Sequence, residues 1–185
     1  MARDLTQFET FPFDGPLEAR QLDPPVDTEP ARSGAGGVDC HACSTPPEAR
    51  LWSDDHWWLH LYEPSPFRGV VLLGPHEHIE SISQLPTSLA RDLGPKVAQV
   101  ERAIETLGGI GRTHVNVWGD GGAHLHIWFY PRPYGQLQFR GTFLPVWGLV
   151  LPDLPTDVTR TAGERIAAAM DAPATPAEIG AYRQP

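Results

Sequence analysis

A chain of 185 residues with 41% hydrophobic content has room for one domain with appendages, not for two separate cores. Its 14 lysines and arginines against 23 aspartates and glutamates give a formal charge of −9, which excludes a basic surface that coats duplex nucleic acid but permits a local positive pocket for one phosphorylated ligand. There is no apolar run of about 18 residues and no charged-then-apolar leader, so the expectation is a cytoplasmic protein with no membrane partner.

The first 37 residues carry Pro12, Pro16, Pro24, Pro25 and Pro30, then Ser33-Gly34-Ala35-Gly36-Gly37, with no sustained period. They read as an arm or linker, wrapped over a partner or mobile. Cys40 and Cys43 are the only cysteines. In an intracellular chain their spacing suits a metal or a redox pair better than a structural disulfide, with an inert pair as the plain alternative. Short apolar or aromatic runs at 57–62 and 70–73, separated by Glu63-Pro64-Ser65-Pro66, predict neighbouring strands, with His56 and His60 as packing or surface residues. Pro75 ends the second run, and His76-Glu77-His78 follows at a junction where a histidine serves as a cap, a surface residue or a ligand.

Leu85, Leu89, Leu93, Val97, Val100, Ile104 and Leu107 recur at spacings of three and four, which predicts a helix over most of 79–107. Pro86 is placed to open it, Gly94-Pro95 to kink it and Gly108-Gly109 to stop it. Strands follow near 113–118 and 123–130, then a proline-rich run at 151–155 and a helix over 156–170. Trp147, Leu149 and Leu151 continue a strand, cover a ligand pocket or complete the core. The order strand, strand, long helix, strand, strand predicts an α+β fold: an antiparallel sheet with one long helix packed on it. The expected organisation is an arm over 1–37, a domain over 38–150 and a tail with a short helix over 151–185.

The chemistry concentrates at His124 and His126. On a strand these two and Trp128 share one side while Leu125, Ile127 and Phe129 pack beneath. Two imidazoles beside Gly119, Gly121 and Gly122 suit metal binding, phosphate binding or nucleophilic attack, because a neutral ring offers a lone pair and glycines let a ligand approach the backbone. His114, Asn116 and Trp118 alternate with Val115 and Val117 on the neighbouring strand. That pattern fits an ordinary half-exposed strand or a ligand-facing one.

The stretch His124-Leu125-His126-Ile127-Trp128-Phe129-Tyr130-Pro131-Arg132 resembles the histidine triad superfamily, whose hallmark is three histidines alternating with apolar residues and often followed by Pro-Arg. Trp128 stands in the third histidine's place. The upstream Cys40 and Cys43, the strand entering 69–75, His78 before Ile79 and the long helix fall in the order seen in that family, so the resemblance covers roughly 38–133. With two motif histidines the chain looks closer to the galactose-1-phosphate uridylyltransferase branch, which carries glutamine third.

The resemblance implies a structural Zn²⁺ held by Cys40, Cys43, His78 and His124. It makes His126 the nucleophile on the α-phosphorus of a nucleotide phosphoanhydride, phosphoramidate or nucleotide sugar, through a nucleotidyl-histidine. By position, main-chain amides of Gly121 and Gly122 would hold phosphate oxygens, Asn116 would contact phosphate or ribose, and Trp128 would donate from its indole N–H. A homodimer is the implied assembly. The departures define the alternatives. Trp128 cannot exchange a proton at neutral pH, only Ala123 separates Gly122 from His124 where hydrolases carry a polar segment, and His76 replaces the usual cation near the junction histidine. A degenerate module that binds a nucleotide or partner without turnover is the competing reading, and a thiol redox protein a third.

Overall fold

The computed structural model describes residues 4–172 apart from Pro16 and Ala19; of the arm and tail, residues 1–3, those two positions and 173–185 lie outside the described residues. Five strands, β1 (Trp52–Ser53), β2 (Trp57–Leu61), β3 (Val71–Pro75), β4 (Ile110–Val117) and β5 (Ile127–Pro133), form one sheet in the order β1-β2-β3-β5-β4. All the pairings are antiparallel. Among the described residues four α-helices accompany it: α1 (His41–Ser44), α2 (Thr87–Glu105), α3 (Leu144–Val150) and α4 (Thr156–Met170). The fold is α+β, as the element order predicts.

Period-two burial divides the sheet into two faces. Trp57 and Leu59 of β2, Val71 and Leu73 of β3, and Ile127 and Phe129 of β5 pack in one cluster with Leu89, Val100 and Ile104 of α2 and Ala162, Ile166 and Met170 of α4. Each fully buried side chain of this kind contributes about 1.5–3 kcal/mol, so this layer carries most of the hydrophobic driving force. On the opposite face Trp58, Leu72 and Trp128 pack under Cys40 and Ala42, and Val70, Trp128 and Tyr130 pack under Leu144 and Trp147. The histidine motif opens onto this second face.

Some expectations hold and others are corrected. The long helix begins at Thr87, where Pro86 is placed to open it: Pro86 has no N–H to donate and keeps Leu85 out of helical space (φ −59°, ψ 128°). It runs through Pro95 to Glu105; Gly94 and Pro95 are exposed, so the Arg91 carbonyl that loses its donor lies on the water side. Gly108 (φ 67°) and Gly109 (φ 64°) turn the chain into β4. A second helix, α4, shares the sheet face with α2. The segment holding Trp147 and Leu149 is the helix α3, and Trp147 Nε1 donates to the Thr10 carbonyl at 2.9 Å.

The ladder of β5 starts at Ile127, so His124 and His126 precede the paired strand. Their approach is held instead by bonds from outside the sheet: Ala123 N donates to the Ser33 carbonyl at 2.9 Å and Leu125 N to the Ile79 carbonyl at 2.7 Å.

One ion pair crosses from α2 to the turn before β2. Lys96 is buried, and its Nζ lies 2.5 Å from Asp54 Oδ2. Asp54 Oδ1 accepts from the main-chain N–H of His56 and of Trp57. Burial pushes the Asp54 carboxyl up, but Lys96 and the two amides outweigh it and hold the group below its ordinary 3.8. Asp54→Asn strands the ammonium and should cost about 2 kcal/mol, less than a fully buried pair because part of Asp54 stays in water. A depressed carboxyl contributes its full stability above about pH 4 and loses it as pH falls. Chemical denaturation from about pH 5 to about pH 3 should therefore show a shallower acid limb in the variant than in the parent chain.

Candidate metal centre and histidine site

Cys40 caps α1, and one helical turn brings Cys43 round to the same side. His78 arrives from the turn after β3 and His124 from the loop before β5. Cys40 Sγ lies 3.6 Å from His124 Nδ1, Cys43 Sγ 3.5 Å from His78 Nδ1 and 3.6 Å from His124 Nδ1. All four ligand atoms fall within 4.8 Å of one another. A tetrahedral ion with Zn–S bonds of about 2.3 Å and Zn–N bonds of about 2.0–2.1 Å would set sulfur and nitrogen about 3.6 Å apart. The donor set and its spacing fit zinc.

The outer contacts fix both rings in the orientation this requires. His124 Nε2 donates to the Pro75 carbonyl at 2.9 Å, and His78 Nε2 faces Glu80 Oε1 at 3.3 Å, so each ring turns Nδ1 towards the thiols. Glu80 also accepts from Gly36 N at 2.7 Å and from Arg32, whose other terminal nitrogen donates to the Gly119 carbonyl at 3.2 Å. Ser33 N donates to the Gly121 carbonyl at 3.0 Å, and Ser33 makes a parallel bridge with Gly122. The end of the arm is thus strapped along the glycine loop. Burial, then Cys40, pushes the Cys43 thiol up, so a close pair of unbridged thiols has electrostatic use for a cation.

His126 lies beside this cluster. Trp58 of β2 reaches across β3 at Gly74, where a Cβ would come 2.2 Å from Trp58 Cζ2. From there its ring contacts both His124 and His126, each at 5.8 Å between centroids, and its Nε1 donates to the Pro75 carbonyl at 2.7 Å. The Arg50 guanidinium sits 4.2 Å above the Trp58 ring and bonds to the Ala42 carbonyl. Burial, then the charges of His124, His60 and Arg50, lowers His126 to about 4, with a main-chain bond at His124 pulling weakly the other way. Its ring is neutral at pH 7. Gly122 borders its ring: a Cβ there would lie 3.8 Å from His126 Cε1, in ordinary van der Waals contact.

Trp128 and Asn116 are directly paired across β5 and β4 and face the same side. Trp128 stacks on Tyr130 at 5.7 Å and meets Tyr62 at 5.1 Å and Trp118 at 6.0 Å. Asn116, His114 and Trp118 form one wall of an open-sided pocket of about 300 Å³ whose other wall is Gly141, Thr142 and Pro145. His76 stands apart, bonded through Nε2 to the Asp54 carbonyl. Arg50, Trp58, Glu80, Arg32 and Ser33 escape sequence reasoning, since none has a spacing that marks it. His60, read as packing or surface, is half-buried on the site face in register with Leu72 and Trp128.

No protein-family model matches this sequence, and no curated protein matches it. Solved structures do. A zinc-bound histidine triad family protein from Mycobacterium smegmatis superposes with a TM-score of 0.53 at 18% identity, covering 72% of this chain and 94% of that one. A hypothetical histidine triad nucleotide-binding protein from Sulfolobus tokodaii gives 0.53 at 16% identity, covering 71% and 92%. A uridylyltransferase gives 0.54 at 16% identity, covering 74% of this chain but 46% of that one. The chain has the histidine triad fold.

The Trp58 and Gly74 contact sets a sharp test. Gly74→Ala must displace Trp58 from beneath both histidines, at an overpacking cost of about 1–3 kcal/mol. Denaturant unfolding should show that loss, and the tryptophan emission of the folded state should shift.

Proposed function

We propose that this chain is a nucleotidyl hydrolase or transferase that works through a nucleotidyl-histidine on His126, with Zn²⁺ held structurally by Cys40, Cys43, His78 and His124. The supporting observation is the division between the two motif histidines. His124 has both ring nitrogens committed, to the thiols and to Pro75, whereas His126 is a neutral imidazole bordered by Gly122. One histidine builds the site and the other is available for chemistry.

In this reading the His126 ring nitrogen attacks the α-phosphorus of a nucleotide. The new N–P bond forms as the bond to the leaving phosphate, amine or sugar phosphate breaks, and the leaving group takes the electron pair and a proton from solvent. Water, or a second phosphate, then attacks phosphorus, the water releasing a proton to solvent, and the electron pair of the N–P bond returns to His126. Gly121 and Gly122 line the approach, Asn116 contacts phosphate or ribose, Trp128 donates from its indole, and Arg50 supplies positive charge. When bound, zinc would contribute folding energy and position, because four protein ligands close its coordination shell. The reading includes a cytoplasmic homodimer. Its support is β4, an edge strand with Val115 and Val117 half-exposed. Among the described residues no helix is long and apolar enough to cross a membrane.

Trp128 favours the binding module as the second reading, since it packs among Tyr62, Trp118 and Tyr130 and carries no exchangeable proton at neutral pH. Intact-mass spectrometry after mixing with nucleoside phosphoramidates, dinucleoside polyphosphates and nucleotide sugars should show a nucleotidyl adduct that His126→Ala abolishes. No adduct and no turnover, with binding kept in His126→Ala, establishes the module. Elemental analysis should give one zinc per chain, lost in the Cys40→Ser, Cys43→Ser double variant; a reversible disulfide without zinc would make the thiols a redox pair. Glu80→Gln should weaken zinc about 10–100-fold in chelator competition, because it removes the carboxylate that orients His78.

A further inference from the structure

We infer that residues 32–37, the end of the N-terminal arm, are a clasp whose closure depends on the metal ion and sets the shape of the glycine loop beside His126. The inference rests on the zinc reading above and adds a consequence of loading that lies outside the four ligands. None of residues 32–39 is buried, so no apolar anchor holds the segment down. Gly34 (φ 80°), Gly36 (φ 62°) and Gly37 (φ 82°) sit in left-handed space, and glycine loses more conformational freedom on ordering than any other residue. Five bonds to distant residues oppose that cost: Arg32 donates to Glu80 and to the Gly119 carbonyl, Gly36 N donates to Glu80, Ser33 N donates to the Gly121 carbonyl, and the Ser33 carbonyl accepts from Ala123 N. Bonds made this close to water each return little.

The metal ligands supply what the segment lacks. A Cβ on Gly34 would lie 3.1 Å from Cys40 Cα, and one on Gly37 would lie 3.6 Å from His78 Cγ, so the clasp rests directly against two of the four ligands. Cys40 and Cys43 stand on the four-residue helix α1, which is too short to hold itself. His78 stands in a turn. An ion bound to all four would fix Cys40, the covalent continuation of the clasp, and would fix the His78 ring against Glu80. Pinning Cys40 shortens the free tether between Ser33 and its partners, and pinning His78 places the carboxylate that Arg32 and Gly36 both use. The closed clasp then holds Gly119, Gly121 and Ala123 by their main-chain groups, and Gly122 between them borders the His126 ring.

Limited trypsin proteolysis of the full chain, read by intact mass, compares the bond after Arg32 in the clasp with the bond after the exposed Arg20 further up the arm, with and without Zn²⁺. Zinc should slow cleavage at Arg32 about tenfold and leave Arg20 unchanged. Hydrogen exchange in a peptide spanning 119–123 should slow in parallel. Gly36→Val touches no ligand and its Cβ meets nothing within 4 Å, but a branched side chain is strained at φ 62°. With zinc bound, this variant should regain fast cleavage at Arg32 and fast exchange in the loop. A fully opened variant must then hold zinc more weakly by the same factor by which zinc protects Arg32 in the parent chain. Should zinc removal also expose Arg91 and Arg102 of α2, that loss is global unfolding and the zinc-bound Gly36→Val protein decides; Gly34→Val, strained in the same way, is the second variant. Two results overturn the clasp and leave the zinc reading standing: Arg32 cleaved equally with and without zinc while α2 stays closed, or zinc-bound variants as resistant as the parent. A chain that binds no zinc overturns both.

Discussion

The carbonyl of Pro75 accepts two hydrogen bonds, from Trp58 Nε1 at 2.7 Å and from His124 Nε2 at 2.9 Å, and the site depends on that pair. A carbonyl oxygen has two lone pairs, and here both are assigned. The first bond holds the indole flat across Gly74, where it forms the floor under both histidines. The second selects the His124 tautomer whose Nδ1 lone pair faces the thiols. Losing the shared acceptor would release a buried indole N–H and a buried imidazole N–H together. The end of β3 is therefore the point at which the sheet, the Cys40, Cys43, His78 and His124 cluster and the histidine pair are joined.

From that point the electrostatics divide the two histidines. His124 and His126 lie 5.6 Å apart between ring centroids, close enough that neither tolerates a charge on the other in a buried setting. Burial dominates the lowered value of His126, and the cations around it, Arg50 among them, act in the same direction. A neutral imidazole beside a fixed positive group is a sensible pairing for an anionic phosphate. It is also a pairing that a nucleotide-binding module would use without turnover, which is why the identity of residue 128 matters. Trp128 belongs to an aromatic run with Tyr130, Tyr62 and Trp118.

Periodic parts of the fold were legible in the residues. Spacings of three and four located α2, the proline-rich run at 151–155 and the cap residues Thr156 or Asp157 marked the start of α4, and the turn chemistry of Pro86 and Gly108-Gly109 bounded the longer helix. Cys40, Cys43, His78 and His124 could be grouped only through resemblance, because they come from three segments and no local spacing links them; the structure brings them within 4.8 Å. What escaped reading depends on contacts between segments. Trp58 looks like any core tryptophan until Gly74 is placed opposite it. Arg50 sits in an aperiodic loop. Ser33 and Arg32 lie in a stretch whose composition argues for disorder, and it is their register against Gly119, Gly121 and Ala123 that orders them.

That strap explains how a shortened loop keeps its shape. Only Ala123 lies between Gly122 and His124, so the loop has few side chains of its own with which to fold. Ser33 lends it a strand-like partner on one side, bonding Gly121 O and Ala123 N, while Arg32 ties Gly119 to Glu80 and through Glu80 to His78. The Ala123 amide is consumed by this arrangement and is unavailable to a phosphate. The same chain of bonds links His78, a residue of the candidate metal centre, to the glycine loop through one carboxylate. A change at His78 is therefore felt by the arm and by the loop beside His126, with no movement of the sheet required.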